Sequence, residues 1–274
     1  MRDILVFCES FKHWNGAVRY GAELAAAWHA RLTGLYVCPV VVIPPWETPG
    51  LTRELEDATR RLKEEAFGAG PGFELFAKAL GATKVQWQIT QDEILHSLTL
   101  TGNWHDVAII GRTHRTLWGT AGAVGGMVLG SDMPCIVVPD QTTCAGTPRV
   151  IAIAWNGSSE AIRATHAALP LLEKAGKVVV LHGRQQSPPG MEGWQPPFDL
   201  PSYLAAHDIV CESVILDDPS DATVGERLLS AALASHADML VMGAYGHTRF
   251  SEWVLGGATR HVLESMTIPV FLRH

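Results

Sequence analysis

Asp238-Met-Leu-Val-Met-Gly243-Ala-Tyr-Gly246-His-Thr-Arg-Phe-Ser-Glu-Trp-Val-Leu-Gly256-Gly257-Ala258 carries the clearest local pattern in this chain. An apolar run, Met239 to Met242, stops at Gly243. A second glycine follows at Gly246, and after nine intervening residues come Gly256 and Gly257. Ala258, Thr259, Val262 and Leu263 then open a helical pattern. The segment reads as strand, glycine-punctuated loop and helix. Glycine lets a backbone turn through positive φ and lets main-chain N–H groups come close to a ligand. A helix N-terminus adds unpaired donors and the positive end of a dipole. Together they predict a phosphate cradle.

The spacing Gly243-x2-Gly246-x9-Gly256-Gly257 resembles the universal stress protein signature G-x2-G-x9-G-[S/T]. In the ATP-binding branch of that family the segment holds the nucleotide's phosphates and ribose. Gly257 fills the place of the family's Ser or Thr. The resemblance is strengthened by the position near the C-terminus and by the following strand-like run Ile268-Pro-Val-Phe-Leu272.

The chain has 274 residues, a length that suggests about two domains. With 47% hydrophobic and 18% charged residues it reads as globular rather than disordered. A net charge of -7 argues against a nucleic-acid surface, which is usually basic. No apolar run approaches the roughly 20 residues of a membrane span. Met1-Arg-Asp-Ile-Leu-Val6 enters a strand at once, so no signal peptide is expected. Five cysteines without close pairing suit a reducing compartment, and a cytoplasmic location is expected.

Outward from the glycine segment the chain repeats itself. Asp106-Val-Ala-Ile-Ile-Gly111 matches Asp238-Met-Leu-Val-Met-Gly243, Arg2 to Phe7 matches Arg149 to Ala154, and Met133 to Val137 matches Ile268 to Leu272. In the first half, strands are read at Ile4–Phe7, Thr33–Cys38, Val85–Ile89, Asp106–Ile110 and Pro134–Pro139, with helices at Ala17–Arg31, Arg53–Phe67 and Asp92–Thr101. In the second half, strands are read at Arg149–Ala154, Lys177–His182, Val210–Leu216, Met239–Met242 and Pro269–Leu272, with helices at Ala161–Ala175, Ser202–His207 and Val224–Ser235. The small, polar stretch Asp140–Pro148 reads as a linker. Alternating strands and helices, given twice, predict a parallel doubly wound sheet in each half. The expected fold is therefore α/β: two tandem Rossmann-like domains, 1–143 and 147–274, related by pseudo-two-fold symmetry. The family resemblance implies five strands per domain and a meeting of the two last strands at the interface, which would protect two sheet edges.

In an open α/β sheet ligands sit at the carboxyl ends of strands, where the strand order reverses. The resemblance puts that point between the first and fourth strands. The candidate binding residues are then Ala154, Trp155, Asn156, Gly157 and Ser158 on one wall. Met242, Gly243, Gly246 and His247 form the other, with Gly256, Gly257, Ala258 and Thr259 beneath the phosphates. Asn156 stands where ATP-binding relatives carry an aspartate. Losing a charge-assisted bond there, about 1.5–3 kcal/mol, and a hydroxyl at Gly257, about 1 kcal/mol, weakens nucleotide binding by about one or two decades. His247, Arg249 and Arg260 are positioned by sequence to offset part of that loss. In the first half His114 replaces the second glycine, Glu9 takes the place of Asn156, and the loop is three residues shorter. That half is expected to be degenerate.

The twelve histidines are scattered without metal-ligand spacing, so no metal site is expected. Neither a Gly-x-Ser-x-Gly elbow nor a Gly-Lys-[Ser/Thr] phosphate loop occurs. With no general base beside the loop, at most slow ATP hydrolysis is expected. The resemblance implies a cytoplasmic stress-response sensor or regulator, homo-oligomeric, that binds ATP or another adenine nucleotide in its C-terminal half. The alternative is an interaction scaffold, or a binder of another small ligand.

Overall fold

The strands are placed by their apolar runs. The computed structural model describes residues 1–40, 49–142, 146–183, 199–216, 222–244 and 257–274. The run Ile4–Phe7 lies within β1 (Asp3–Phe7) and is buried on both faces, as a central parallel strand requires. It pairs in parallel with β2 (Arg31–Cys38) and with β4 (Val107–Arg112). β3 (Lys84–Gln91) flanks β2, and β5 (Cys135–Pro139) flanks β4. The second half repeats this order with β6 (Val150–Trp155), β7 (Lys177–His182), β8 (Cys211–Ile215), β9 (Met239–Gly243) and β10 (Val270–Arg273). The spatial order of the joined sheet is β3-β2-β1-β4-β5-β10-β9-β6-β7-β8.

Only the central pair runs antiparallel. There Val137, Ile136 and Cys135 face Val270, Phe271 and Leu272. The last strands of the two halves thus meet, as the sequence implies. Each half supplies a row of main-chain donors and acceptors that would otherwise lie at a sheet edge. Alternate residues feed two cores, one on each face of the sheet. Ile4, Val6, Ile136, Ile151, Val241 and Phe271 belong to one. Leu5, Ala108, Val137, Ala152, Leu240 and Leu272 belong to the other. Both cores run through the junction without a break.

The repeat extends to how the strands begin. Asp238 accepts hydrogen bonds from the main-chain N–H groups of Arg149 and Val150, at 2.8 and 2.9 Å. Asp106 does the same for Arg2 and Asp3. Each aspartate pins the start of the first strand of its half to the start of the fourth, which fixes the register across the switch point.

Helices connect the strands: α1 (Gly16–Trp28), α2 (Pro49–Gly68), α3 (Gly70–Ala79), α4 (Ile94–Gly102) and α5 (Ala121–Gly130) in the first half. The second half has α6 (Ser159–Lys174), α7 (Leu200–Ala205), α8 (Val224–Ala234) and α9 (Gly257–Ser265). Two of these depart from the sequence reading. α3 occupies a Gly/Pro-rich stretch that gives no helical signal. It forms because Phe73, fully buried, packs over Gly34, where an added Cβ would lie 2.5 Å from the ring. Trp14 and Trp87 close that cluster, with ring centroids 5.3 and 5.1 Å from Phe73. α5 forms despite its glycines because Val124, Met127 and Val128 are buried, so tertiary packing overrides weak helix propensity. Among the described residues no helix is long and apolar enough to cross a membrane.

Phe271 is fully buried in a core shared by both halves and pairs with Ile136 across the junction, so Phe271→Ala is expected to destabilise the protein by about 3–5 kcal/mol. Urea unfolding followed by circular dichroism measures this. A change below about 1 kcal/mol would show that the junction carries little of the stability.

Candidate functional site

The switch point of the second half lies between β6 and β9, which pair through Ile151–Ala154 and Met239–Met242. β6 ends at Trp155. Gly157 then turns the chain with φ 73°, a conformation that favours glycine. Asn156 accepts a hydrogen bond from the Ser158 N–H at 3.0 Å, and the Ser158 hydroxyl accepts from the Ala161 N–H at 3.2 Å. Ser158 is the N-cap of α6.

β9 ends at Gly243, and this glycine has a local cause. A Cβ there would lie 2.6 Å from the Ala161 nitrogen and 2.6 Å from the Glu160 carbonyl carbon. The first turn of α6 rests directly on the end of β9. Gly257 differs. Among the described residues a Cβ at that position meets nothing within 4 Å, so they leave room for the missing Ser/Thr side chain.

These ends enclose a cleft of about 250 Å³. Ala154, Trp155, Asn156, Met242, Gly243, Gly257, Ala258 and Thr259 all line it. With Ser158, which also lines it, nine of the thirteen candidate binding residues are thereby brought to one place. Gly157 shapes the turn behind the wall. Gly246, His247 and Gly256 lie outside the described residues, as does Arg249. Arg260 is not directed to the cleft: its Nε donates to Glu264 at 2.8 Å, one turn further along α9. The expected help from Arg260 is therefore withdrawn. The Asn156 carbonyl oxygen is also partly engaged, because it holds the turn before α6.

The cleft has two zones. Leu181, Leu216, Val224 and Leu228 form an apolar end. Sequence reasoning missed these residues, since an apolar side chain at a strand end reads as core. Their positions at the ends of β7 and β8 and the start of α8, beside the switch point, are the signal that could have found them. Asn156, Ser158, Gly257 and Thr259 form the polar end. None of the described lining side chains carries a charge.

Three helices direct their N-termini to this cleft, through Ser158 and Ala161, through Val224, and through Gly257 to Thr259. Two of them already carry a carboxylate. The Thr223–Glu226 capping box closes α8, and its main-chain bond to Thr223 holds the Glu226 carboxyl below its usual range. Glu160 sits in the first turn of α6, and a bond to its own main-chain N–H holds its carboxyl low. α9 has no acidic residue in its first turn. Its positive dipole end is left for an anion in the cleft.

The corresponding place in the first half is closed. Glu9 hydrogen-bonds the Thr116 hydroxyl, and the Thr113 hydroxyl donates to Asp140. The Thr113 N–H donates to the Gly119 carbonyl at 2.9 Å, and the Gly119 N–H to the Thr116 hydroxyl at 3.1 Å. The loop after β4 is thus folded on itself across the end of β1. Burial pushes the Glu9 carboxyl above its usual range, and the bond from Thr116 opposes that shift.

With this geometry in view, residues 214–273 match the model of the universal stress protein family. A universal stress protein from Archaeoglobus fulgidus DSM 4304 has a similar structure, with 14% identity and a TM-score of 0.68. The match covers 98% of this chain and 95% of that one. A functionally unknown protein from Pseudomonas aeruginosa PAO1 matches with 15% identity and a TM-score of 0.59, covering 100% of this chain and 92% of that one. No curated protein matches the chain by sequence. The chain therefore carries the fold of a tandem universal stress protein along its length, with the family's sequence pattern over 214–273.

The two glycines should respond differently to one methyl group. Gly243→Ala is expected to cost about 1–3 kcal/mol, because backbone rather than a flexible side chain is in the way. Gly257→Ala should stay within about 1 kcal/mol of the parent. Thermal unfolding of both variants checks this, and equal melting temperatures would overturn the packing assigned to Gly243.

Proposed function

We propose that the protein is a stress-response sensor or regulator that binds ATP or another adenine nucleotide in the cleft of its C-terminal half. The chain divides in this reading into units 1–143 and 147–274. The observation that carries the proposal is the pairing of zones within one cleft. Apolar Leu181, Leu216, Val224 and Leu228 line it together with the first turn of α9, which carries no acidic residue. A base is accommodated by the first, and a phosphate chain by the second, through main-chain N–H groups and the helix dipole.

The cleft of about 250 Å³ falls below the roughly 300 Å³ at which drug-sized ligand pockets begin. The described walls thus account for part of a nucleotide. Asn156 supports a weaker complex than an aspartate would. Its oxygen serves the Ser158 N–H, so its amide N–H2 is the group free to meet a ribose hydroxyl. The same feature, together with the bare Gly257, favours a second reading in which the cleft takes another small ligand or the fold serves as a scaffold.

Calorimetric titration with ATP separates them. The wild type is expected to bind at one site per chain. Ala258→Glu places a carboxylate on the first turn of α9, where it suits the helix and repels phosphate, and should weaken ATP at least about tenfold. Gly257→Ser supplies a hydroxyl and should tighten ATP by about fivefold, the equivalent of about 1 kcal/mol. Absence of binding up to millimolar ATP would leave the scaffold or other-ligand reading in its place.

A further inference from the structure

A second cleft lies where the two halves meet, behind the packing of α5 on α9. It has a volume of about 430 Å³. Arg112, Leu263 and Met266 form its buried floor, and His114, Arg115, Asp140 and Glu264 its exposed rim.

Arg112 is the unusual member. Only 6% of it is exposed. Its Nε donates to the Leu263 carbonyl at 2.7 Å, in the last turn of α9, and Nη1 donates to the Gly119 carbonyl at 3.3 Å. Nη2 lies 3.5 Å from His114 Nε2, the outer limit of a hydrogen bond. A guanidinium has five N–H donors, so the edge between Nη1 and Nη2 keeps donors to offer. No carboxylate within the described residues pairs with it. Asp140 accepts from the Thr113 hydroxyl, and Glu264 is paired with Arg260. Burial accordingly lowers the Arg112 guanidinium from its ordinary range against the smaller, opposing influence of Glu264 and Asp140.

The fold does not demand this charge. At the matching position of the second half stands Ala244, fully buried. A buried cation whose neighbouring carboxylates are bonded elsewhere is expensive to keep, and an apolar replacement is often neutral or better. The cleft beside it is open, and two more basic side chains stand at its rim.

We propose that the cleft between the halves binds a small phosphate-type oxyanion, held by the free edge of Arg112 with His114 and Arg115 closing over it. A planar guanidinium edge matches two oxygens of such an ion, which gives both charge pairing and direction. Asp140, Glu264 and the carbonyl end of α9 oppose anions generally. They restrict binding to ions that can take the paired hydrogen bonds, and they place the affinity near the millimolar range. The site is independent of the nucleotide reading, since it lies at the opposite end of α9 from Gly257.

The test uses the full chain carrying Ala258→Glu, which closes the C-terminal cleft to anions, titrated with pyrophosphate by calorimetry. Saturable binding in the millimolar range is expected. Replacing the exposed rim residues together, His114→Ala with Arg115→Ala, should weaken it at least about tenfold without changing the melting temperature. Arg112→Met, confirmed as folded by circular dichroism, should abolish it. No saturable heat up to about 10 mM pyrophosphate, or binding that survives the rim substitutions unchanged, overturns the proposal.

Discussion

Everything in this molecule depends on the antiparallel contact between β5 and β10. Each half ends its sheet on a short, largely apolar strand whose outer edge would otherwise offer unpaired N–H and C=O groups. Setting the two strands against each other satisfies both edges at once and joins ten strands into one sheet. Because residues alternate across a strand, the same few positions feed both cores. Phe271 enters one face, and Val270 and Leu272 the other. The two halves are consequently neither independent beads nor one fold with an arbitrary seam. Their relative orientation follows from strand register, which is the stiffest relation that two α/β units can share.

Within that symmetric frame the two switch points have diverged. The second half turns from β6 into α6 through two residues and an N-cap, leaving the strand ends open. The first half inserts a longer segment between β1 and α1, capped by Asn15, and folds the loop after β4 onto itself through Thr113, Thr116 and Gly119. Glu9 shows the physical difference. A carboxylate in the position of Asn156 has been desolvated and tied to Thr116, so it closes the place where a ligand would lie. The strand order is retained because both cores need it, whereas the loops at the strand ends are under no such constraint.

The positions and parallel direction of the strands were legible in the sequence because buried parallel strands read as apolar runs that recur after Asp3, Asp106, Arg149 and Asp238, whereas their spatial order was implied by the family resemblance. The walls of the C-terminal cleft were legible for the same reason: they are the residues that immediately follow those runs. Other features depend on contacts that local patterns do not encode. α3 is specified by Phe73 fitting the gap over Gly34, and α5 by its buried Val124 and Val128 rather than by its glycine-rich composition. Leu181 and Leu228 belong to the core and Leu216 packs against it, yet all three also line the cleft because of where β7 and β8 end and α8 begins. The bond from Asn156 to Ser158 is the exception, since a short Asn-x-Ser turn before a helix is a local signal that can be read in advance.

Arg112 draws these strands of argument together. In the sequence it stands between Gly111 and Thr113, and nothing local marks it. In the fold it spans a sequence separation of 151 residues to take the carbonyl of Leu263, while a second arm holds Gly119 in the closed loop of the first half. α9 thus presents its first turn to the open cleft of the second half and gives its last turn to a side chain of the first. Any displacement of α9 along its axis must either stretch a 2.7 Å bond to a buried guanidinium or carry the loop after β4 with it. Breaking one partner of a buried charge is more costly than moving both together. Arg112 therefore ties the last turn of α9 to the loop after β4. A half that has lost its own open cleft is still mechanically attached to the half that keeps one.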